Sequence, residues 1–307
     1  VVTDEGDYLR AEDVLRDADT AMYEAKAAGR GRAVLFDATM RDKVRRRLSM
    51  ESELRLAIET GQLVLHYQPI VCLDSGDLVG VEALVRWYHP ERGMVWPGEF
   101  IPVADDSGLI IPLGDWVLGE ACRQLGVWQR TLGPDRIPSV HVNLSARQFV
   151  VAGFTERAAR AVNEGGIDPS SVHLEITESA VMQDVAAATR LLRELKSLGF
   201  QVALDDFGTG HSSLACLHEF PLDVVKIDRS FVTNMSRGRH YTALVHAIVA
   251  LARNLNLEVV AEGVVTADLV PPLQYLGCQY AQGYFFGHPV PAGQVAEYQP
   301  PARLSEA

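Results

Sequence analysis

Eight short runs rich in β-branched and aromatic residues, most of them separated by helical stretches, predict an α/β protein. The expected architecture is a modified TIM-type (β/α)8 barrel with an antiparallel first strand. The first two runs are separated only by a turn around Ser75-Gly76-Asp77. That suits a hairpin, because a parallel crossover takes about a dozen residues or more. Polar and acidic residues also recur within or just after most of the runs, as they do where barrel strands converge on one mouth.

From Ala11 to Lys26, the residues Val14, Leu15, Ala18, Ala21, Met22 and Ala25 recur at helical spacing, with Gly29 and Gly31 as stops. Ala33 to Phe36 is expected as a short strand. One helix and one strand cannot make a core, so this stretch must dock on the rest of the chain or on something outside it. Asp37 to Thr60 is a charged connecting helix. Its basic run, Arg45, Arg46 and Arg47, stands beside Glu51 and Glu53 and is read as a solvated face.

Strands are then expected near Val64–Pro69, Val79–Trp87, Val140–Ser145, Val172–Thr177, Gln201–Asp206, Val224–Asp228, Glu258–Glu262 and Tyr280–Phe286. Helices such as Asp184–Leu198 and Tyr241–Leu255 lie between them, and Gly199 is the expected stop of the first. Leu191, Leu192 and Leu195, with Met182, form an apolar helix face read as core. Trp87, Trp96, Trp116 and Trp128 are read as core or barrel-rim packing, with one of them a candidate to stack on a base. His66, His141 and His173, at scattered spacings in strands, are read as packed rather than ligating.

Composition bounds the chemistry. The 307 residues include 48% hydrophobic and 22% charged residues, ample for a large core. A formal net charge of −12 argues against a nucleic-acid surface, which needs clustered Lys and Arg. No apolar run is long enough to span a bilayer. The acidic, polar start without an initiator Met is unlike a signal peptide and is expected to mark an excised piece of a longer protein. Cys72, Cys122, Cys216 and Cys278 form no CxxC pair, so neither a zinc site nor disulfides are expected, and the default location is the cytoplasm.

Glu82, Asn143, Glu175 (with Glu178 just beyond), Asp205-Asp206, Lys226, Asp228, Glu262 and Gln282 fall in or beside consecutive strands. A buried carboxylate is costly unless paired or bound to metal, and several together repel one another. Such hard oxygen donors suit magnesium or manganese. Directly after the Asp pair comes Phe207-Gly208-Thr209-Gly210-His211-Ser212-Ser213, read as a loop that helps to hold ligand or metal.

These residues carry a family resemblance over nearly all of Glu53 to Tyr298. Glu82-Ala83-Leu84-Val85-Arg86-Trp87 resembles the signature of EAL-domain cyclic di-GMP phosphodiesterases. Tyr67-Gln68-Pro69-Ile70, Phe100-Ile101-Pro102, Asn143-Leu144-Ser145, Glu175-Ile176-Thr177-Glu178, Asp205 to Gly210, Lys226-Ile227-Asp228, Glu262-Gly263-Val264 and Gln282-Gly283-Tyr284 follow in the family's order. Ala18 to Lys26 with Gly29-Arg30 resembles the last helix of a GGDEF domain, without its signature loop. The resemblance implies residues 1–37 as a GGDEF-like fragment, 38–60 as a connecting helix, 61–298 as the phosphodiesterase barrel and 299–307 as a tail.

It further implies hydrolysis of cyclic di-GMP to linear pGpG by a water activated by two metal ions, Mg2+ or Mn2+. Glu82, Asn143, Glu175, Asp205, Asp206 and Glu262 would be the ligands, with Asp205 bridging. Lys226 would orient or activate the water, with Glu82, Glu262 and Gln282 in the reacting group. Gln68, Arg86 and Asp228 would hold substrate, and Glu178 would tether the glycine loop. A homodimer through the EAL domain is expected, and a parent protein attached to a membrane elsewhere is compatible with this chain.

Two positions depart from the family's pattern. Val265 replaces the second Glu of Glu-Gly-Val-Glu, and Asp105 stands where Glu is more usual. They keep in view a second class, a catalytically weak or inactive cyclic di-GMP receptor. A third class, a general nucleic-acid phosphodiesterase, is disfavoured by charge.

Overall fold

A computed structural model describes residues 2, 10–27, 31, 33–208 and 219–301. Ten described strands form one sheet: β1 (Leu63–Cys72), β2 (Leu78–His89), β3 (Gly93–Val95), β4 (Val140–Leu144), β5 (Val172–Thr177), β6 (Gln201–Phe207), β7 (Val224–Ile227), β8 (Glu258–Ala261), β9 (Tyr280–Gln282) and β10 (Val290–Pro291). Eight of them close a ring in the order β1-β9-β8-β7-β6-β5-β4-β2, sealed by β1 against β2. β1 is antiparallel to both neighbours, and the remaining ring pairings are parallel. The expected barrel with an antiparallel first strand is therefore the fold.

β3 and β10 are short additions outside the ring, pairing with β2 and β1. At three and two residues they carry too little alternation to stand out in the sequence. The last ring strand ends at Gln282 rather than running to Phe286 as expected. The chain turns there because residues 282–285 lie against Val264, with Val264 N donating to Gln282 O and Phe285 N to Val264 O. A Cβ on Gly283 would stand 2.2 Å from Val264 O, so only glycine fits that approach.

The helices lie outside the ring. α1 (Ala11–Ala27) and α2 (Ala38–Thr60) come first, followed by α3 (Pro97–Ser107), α4 (Ile110–Leu132), α5 (Ala146–Val150), α6 (Phe154–Gly165), α7 (Glu178–Gln183), α8 (Val185–Ser197), α9 (Arg229–Thr233), α10 (Arg239–Asn254), α11 (Val270–Leu276) and α12 (Ala292–Val295). Outward residues of the strands pack on these helices. Tyr67 of β1 meets Trp128 of α4 edge-on with ring centroids 4.8 Å apart, and Trp87 of β2 meets Phe100 of α3 at 5.7 Å. Leu192 and Leu195 of α8 are fully buried and Leu191 nearly so, as core. Gly199, beyond α8, has φ 97°, a left-handed conformation suited to glycine.

α2 starts at the Asp37 cap, whose side chain accepts from Thr39 N, and buries Leu54 and Ala57. Arg45 and Arg46 are exposed as expected, whereas Arg47 pairs with Asp106 of α3. Asp17 of α1 is buried and accepts from Arg41 Nε of α2 at 3.2 Å, which ties the two helices together. The strand expected at Ala33–Phe36 is not formed. Those residues belong to no strand pairing among the described residues. Gly29, Arg30 and Cys216 lie outside the described residues.

Candidate active site

Successive strand residues face opposite sides, so one phase of every ring strand faces the barrel interior. The phase holding Leu63, Leu65 and Tyr67, or Val140, Val142 and Leu144, meets the helices. The opposite phase puts Gln68, Glu82, Arg86, Asn143, Glu175, Asp205, Lys226 and Gln282 inside. Below them Ile70, Ala203, Val224 and Val260 form a separate small apolar cluster that fills the barrel floor.

Lys226, fully buried, is the hub. Its Nζ lies 2.7 Å from Glu262 Oε1, 2.8 Å from Glu175 Oε2, 3.5 Å from Glu82 Oε2 and 3.7 Å from Asp205 Oδ1. Burial lowers an ammonium's pKa, but these four carboxylates outweigh it and hold the lysine charged, well above its ordinary value. One ammonium cannot compensate them all. Burial raises the carboxyl of Glu175 well above the usual range and that of Glu262 to about 8, with neighbouring acids adding to both shifts. Glu82 is the exception. Its burial is outweighed by Lys226 and by hydrogen bonds from Gln282 and Asn143, so its pKa is lowered.

Asp205 and Asp206 are consecutive, so a regular strand would point them apart. Instead the β6–β7 register slips between Leu204 and Phe207, and Asp206 adopts φ 55°, unusual for a residue other than glycine. The kink brings oxygens of Asp205, Asp206 and Glu262 within 4.8 Å of one another. Burial, Asp205 and Asp228 all raise the Asp206 carboxyl. Beyond the kink, Gly208 N donates to Glu178 Oε2 at 3.2 Å. Thr209 to Ser213, the rest of the glycine loop, lie outside the described residues.

Gln282 Nε2 donates to Glu82 Oε2 at 2.6 Å and Gln68 Oε1 at 3.1 Å, while Gln68 Nε2 reaches Gly287 O. Gln282 Oε1 is buried without a hydrogen-bond partner among the described residues. Arg86 is largely buried, with its guanidinium carbon 5.6 Å from the ring centroid of the exposed Trp96. Asp228 caps α9, accepting from Ser230 N and Oγ. Beside Asn143 opens a cavity of about 530 Å³, walled by Leu84, Val85, Ile101, Pro102 and Asp105.

A family model described as the EAL domain matches residues 51–289. The chain belongs to the EAL domain family. It is 43% identical over 290 residues to the bifunctional diguanylate cyclase/cyclic di-GMP phosphodiesterase MucR of Pseudomonas aeruginosa, covering 94% of this chain and 42% of the relative. It is 41% identical over 279 residues to the cyclic di-GMP phosphodiesterase PdeR of Escherichia coli, covering 91% of this chain and 42% of the relative. The chain thus spans about two fifths of the length of these relatives. Among solved structures, the PaMucR phosphodiesterase in complex with c-di-GMP superposes with a TM-score of 0.76 at 44% identity, over 80% of this chain and 99% of that one.

Within the EAL domain, the signature strand β2 supplies Glu82 and Arg86 from one face. Asp105 of α3 accepts from Ser145 Oγ at 3.1 Å and lies 3.5 Å from Arg147 Nε, linking α3 to the strand that carries Asn143. Val265, at the departure from the family's block, is 47% exposed. Trp87 and Trp128 are core, whereas Trp96 is 58% exposed beside Arg86, so it is not a core residue. His141 is packed, as expected, but it also touches the acidic cluster, with Nδ1 2.9 Å from Glu175 Oε1. The available signal was phase: His141 stands two residues before Asn143 on one strand, hence on the same inward face.

Proposed function

We propose that this EAL domain hydrolyses cyclic di-GMP to linear pGpG with divalent metal ions, Mg2+ or Mn2+. One observation carries the reading: Glu82, Glu175, Asp205 and Glu262 converge on a single ammonium, Lys226, with Asp206 beside Asp205 and Glu262. Carboxylates in that excess, with burial raising the pKa of Glu175 and Glu262, form a site that cations would stabilise. Gln282 Oε1, buried without a partner among the described residues, and the hard oxygen donors fit such ions and their water. Glu82, Asn143, Glu175, Asp205, Asp206 and Glu262 would hold them.

When bound, two such ions supply a deprotonated water at neutral pH and neutralise phosphate charge. Lys226 would orient that water and stabilise charge on the phosphate. Gln282 would accept a hydrogen bond from it while fixing Glu82. Gln68 and Arg86 would hold the substrate, Arg86 through a phosphate oxygen. Asp228 would contribute by placing α9 at the rim, and Glu178 by anchoring the turn at Gly208. The apolar walls beside Asn143 suit a nucleobase. Residues 1–37 would be the end of a GGDEF domain, 38–60 its connection, 61–298 the barrel and 299–307 a tail, in a cytoplasmic homodimer.

The test is incubation of purified protein with cyclic di-GMP and Mg2+ or Mn2+, with pGpG followed by chromatography. Turnover that Glu82→Ala abolishes is the expected result. A second reading, a receptor that binds without hydrolysis, is favoured by Val265 in place of an acid. Binding without product under either metal would establish it.

A further inference from the structure

We propose that His141 is a positioning residue that locks the carboxylate of Glu175 for divalent-metal binding. This rests on the metal-dependent reading above. Glu175 is 1% exposed and each of its oxygens has one hydrogen-bond partner among the described residues: Lys226 Nζ donates to Oε2 at 2.8 Å, and His141 Nδ1 lies 2.9 Å from Oε1. Lys226 is shared with Glu82, Asp205 and Glu262. His141 serves Glu175 alone, so it is the contact that sets the orientation of this carboxylate.

The surroundings hold the imidazole in place for that task. Its ring stacks on His173 with centroids 4.2 Å apart and planes 12° from parallel. The neighbouring strand β2 makes room through Gly80, where a Cβ would meet Ser139 Oγ at 2.3 Å and His141 Cδ2 at 3.4 Å. For a bond to the Glu175 carboxylate the imidazole must carry hydrogen on Nδ1, the nitrogen that faces Oε1. A carboxylate oxygen that accepts one such bond keeps a further electron pair for a cation. Supporting hydrogen bonds of this kind are worth about 10–100-fold in metal affinity.

Asparagine and glutamine separate a hydrogen-bonding role from mere packing, because the amide nitrogen of Asn reproduces the place of Nδ1 and that of Gln the place of Nε2. Metal-stripped wild type, His141→Asn, His141→Gln and His141→Leu would be titrated with Mn2+ by calorimetry, with melting of the metal-free proteins measured alongside. Expected are a roughly 10–100-fold weaker affinity for the Gln and Leu variants and near wild-type affinity for Asn. Wild-type affinity in His141→Leu, or equal losses in Asn and Gln, overturns the proposal alone. Should the Leu variant fail to fold, the Asn–Gln pair decides by itself. A wild-type protein that binds no Mn2+ overturns the metal-dependent reading, and this proposal with it.

Discussion

Lys226 Nζ sits 2.7 Å from Glu262 Oε1, joining the end of one barrel strand to the residue just past the next. The pair lies where four strands deliver acids to one lysine. An ordinary buried ion pair would need only one of them.

Lys226→Met is expected to lower cyclic di-GMP hydrolysis by roughly 100- to 10,000-fold, the range for a group acting on a proton in the reaction. Lys226→Arg should not restore it, because a planar guanidinium does not fit a fully buried ammonium's place. Product formation measured by chromatography checks both, and wild-type turnover in either variant would remove Lys226 from the reacting group.

In metal-free protein, stability should fall as pH rises from about 6.5 to 8. Glu262 titrates near 8 in the folded state, so there the folded protein holds a proton that the unfolded chain has released. Glu175 and Asp206 are shifted in the same direction. His141 and His173 are depressed and have the opposite sign, but their effect is complete by the ordinary histidine value of about 6.5. Glu262 alone contributes up to about 2 kcal/mol across the window. Calorimetric melting in chelator checks the slope, and Mn2+ should bind more tightly over the same rise in pH as it displaces the protons.

Trp96→Ala removes the exposed ring beside Arg86. A cation–π contact at a partly exposed site is worth about 0.5–1 kcal/mol. KM for cyclic di-GMP should therefore rise about two- to fivefold with little change in kcat, as steady-state kinetics would show. A fall in kcat at constant KM would place Trp96 outside substrate binding.

Val265→Glu restores the acid of the family's block at an exposed position, where a charge costs little. Support for ligands of this kind is worth about 10–100-fold, so turnover at limiting metal should increase. Unchanged rates over a Mn2+ titration would show that the substitution is neutral here.

The barrel was legible because binary pattern and spacing are local. The Ser75-Gly76-Asp77 turn dictated a hairpin, and Glu82, Asn143 and Glu175 stood out as polar residues within successive strands. The hydrophobic face of α8 was equally plain, since Leu191, Leu192 and Leu195 recur at helical spacing. The short edge strands, the early end of β9 at Gln282 and the non-strand course of Ala33–Phe36 depend on what lies beside them, which no local pattern records.

By itself, then, the sequence determined the strand–helix alternation, the opening hairpin and an excess of acids within or just after the strands. Which acids Lys226 meets, the kink that brings Asp205 and Asp206 together, and the bond from His141 to Glu175 were decided by the tertiary structure. The physical reason is that barrel strands tilt and stagger, so neighbours in the hydrogen-bond ladder are not neighbours in height. Only closure of the ring sets which side chains share a level.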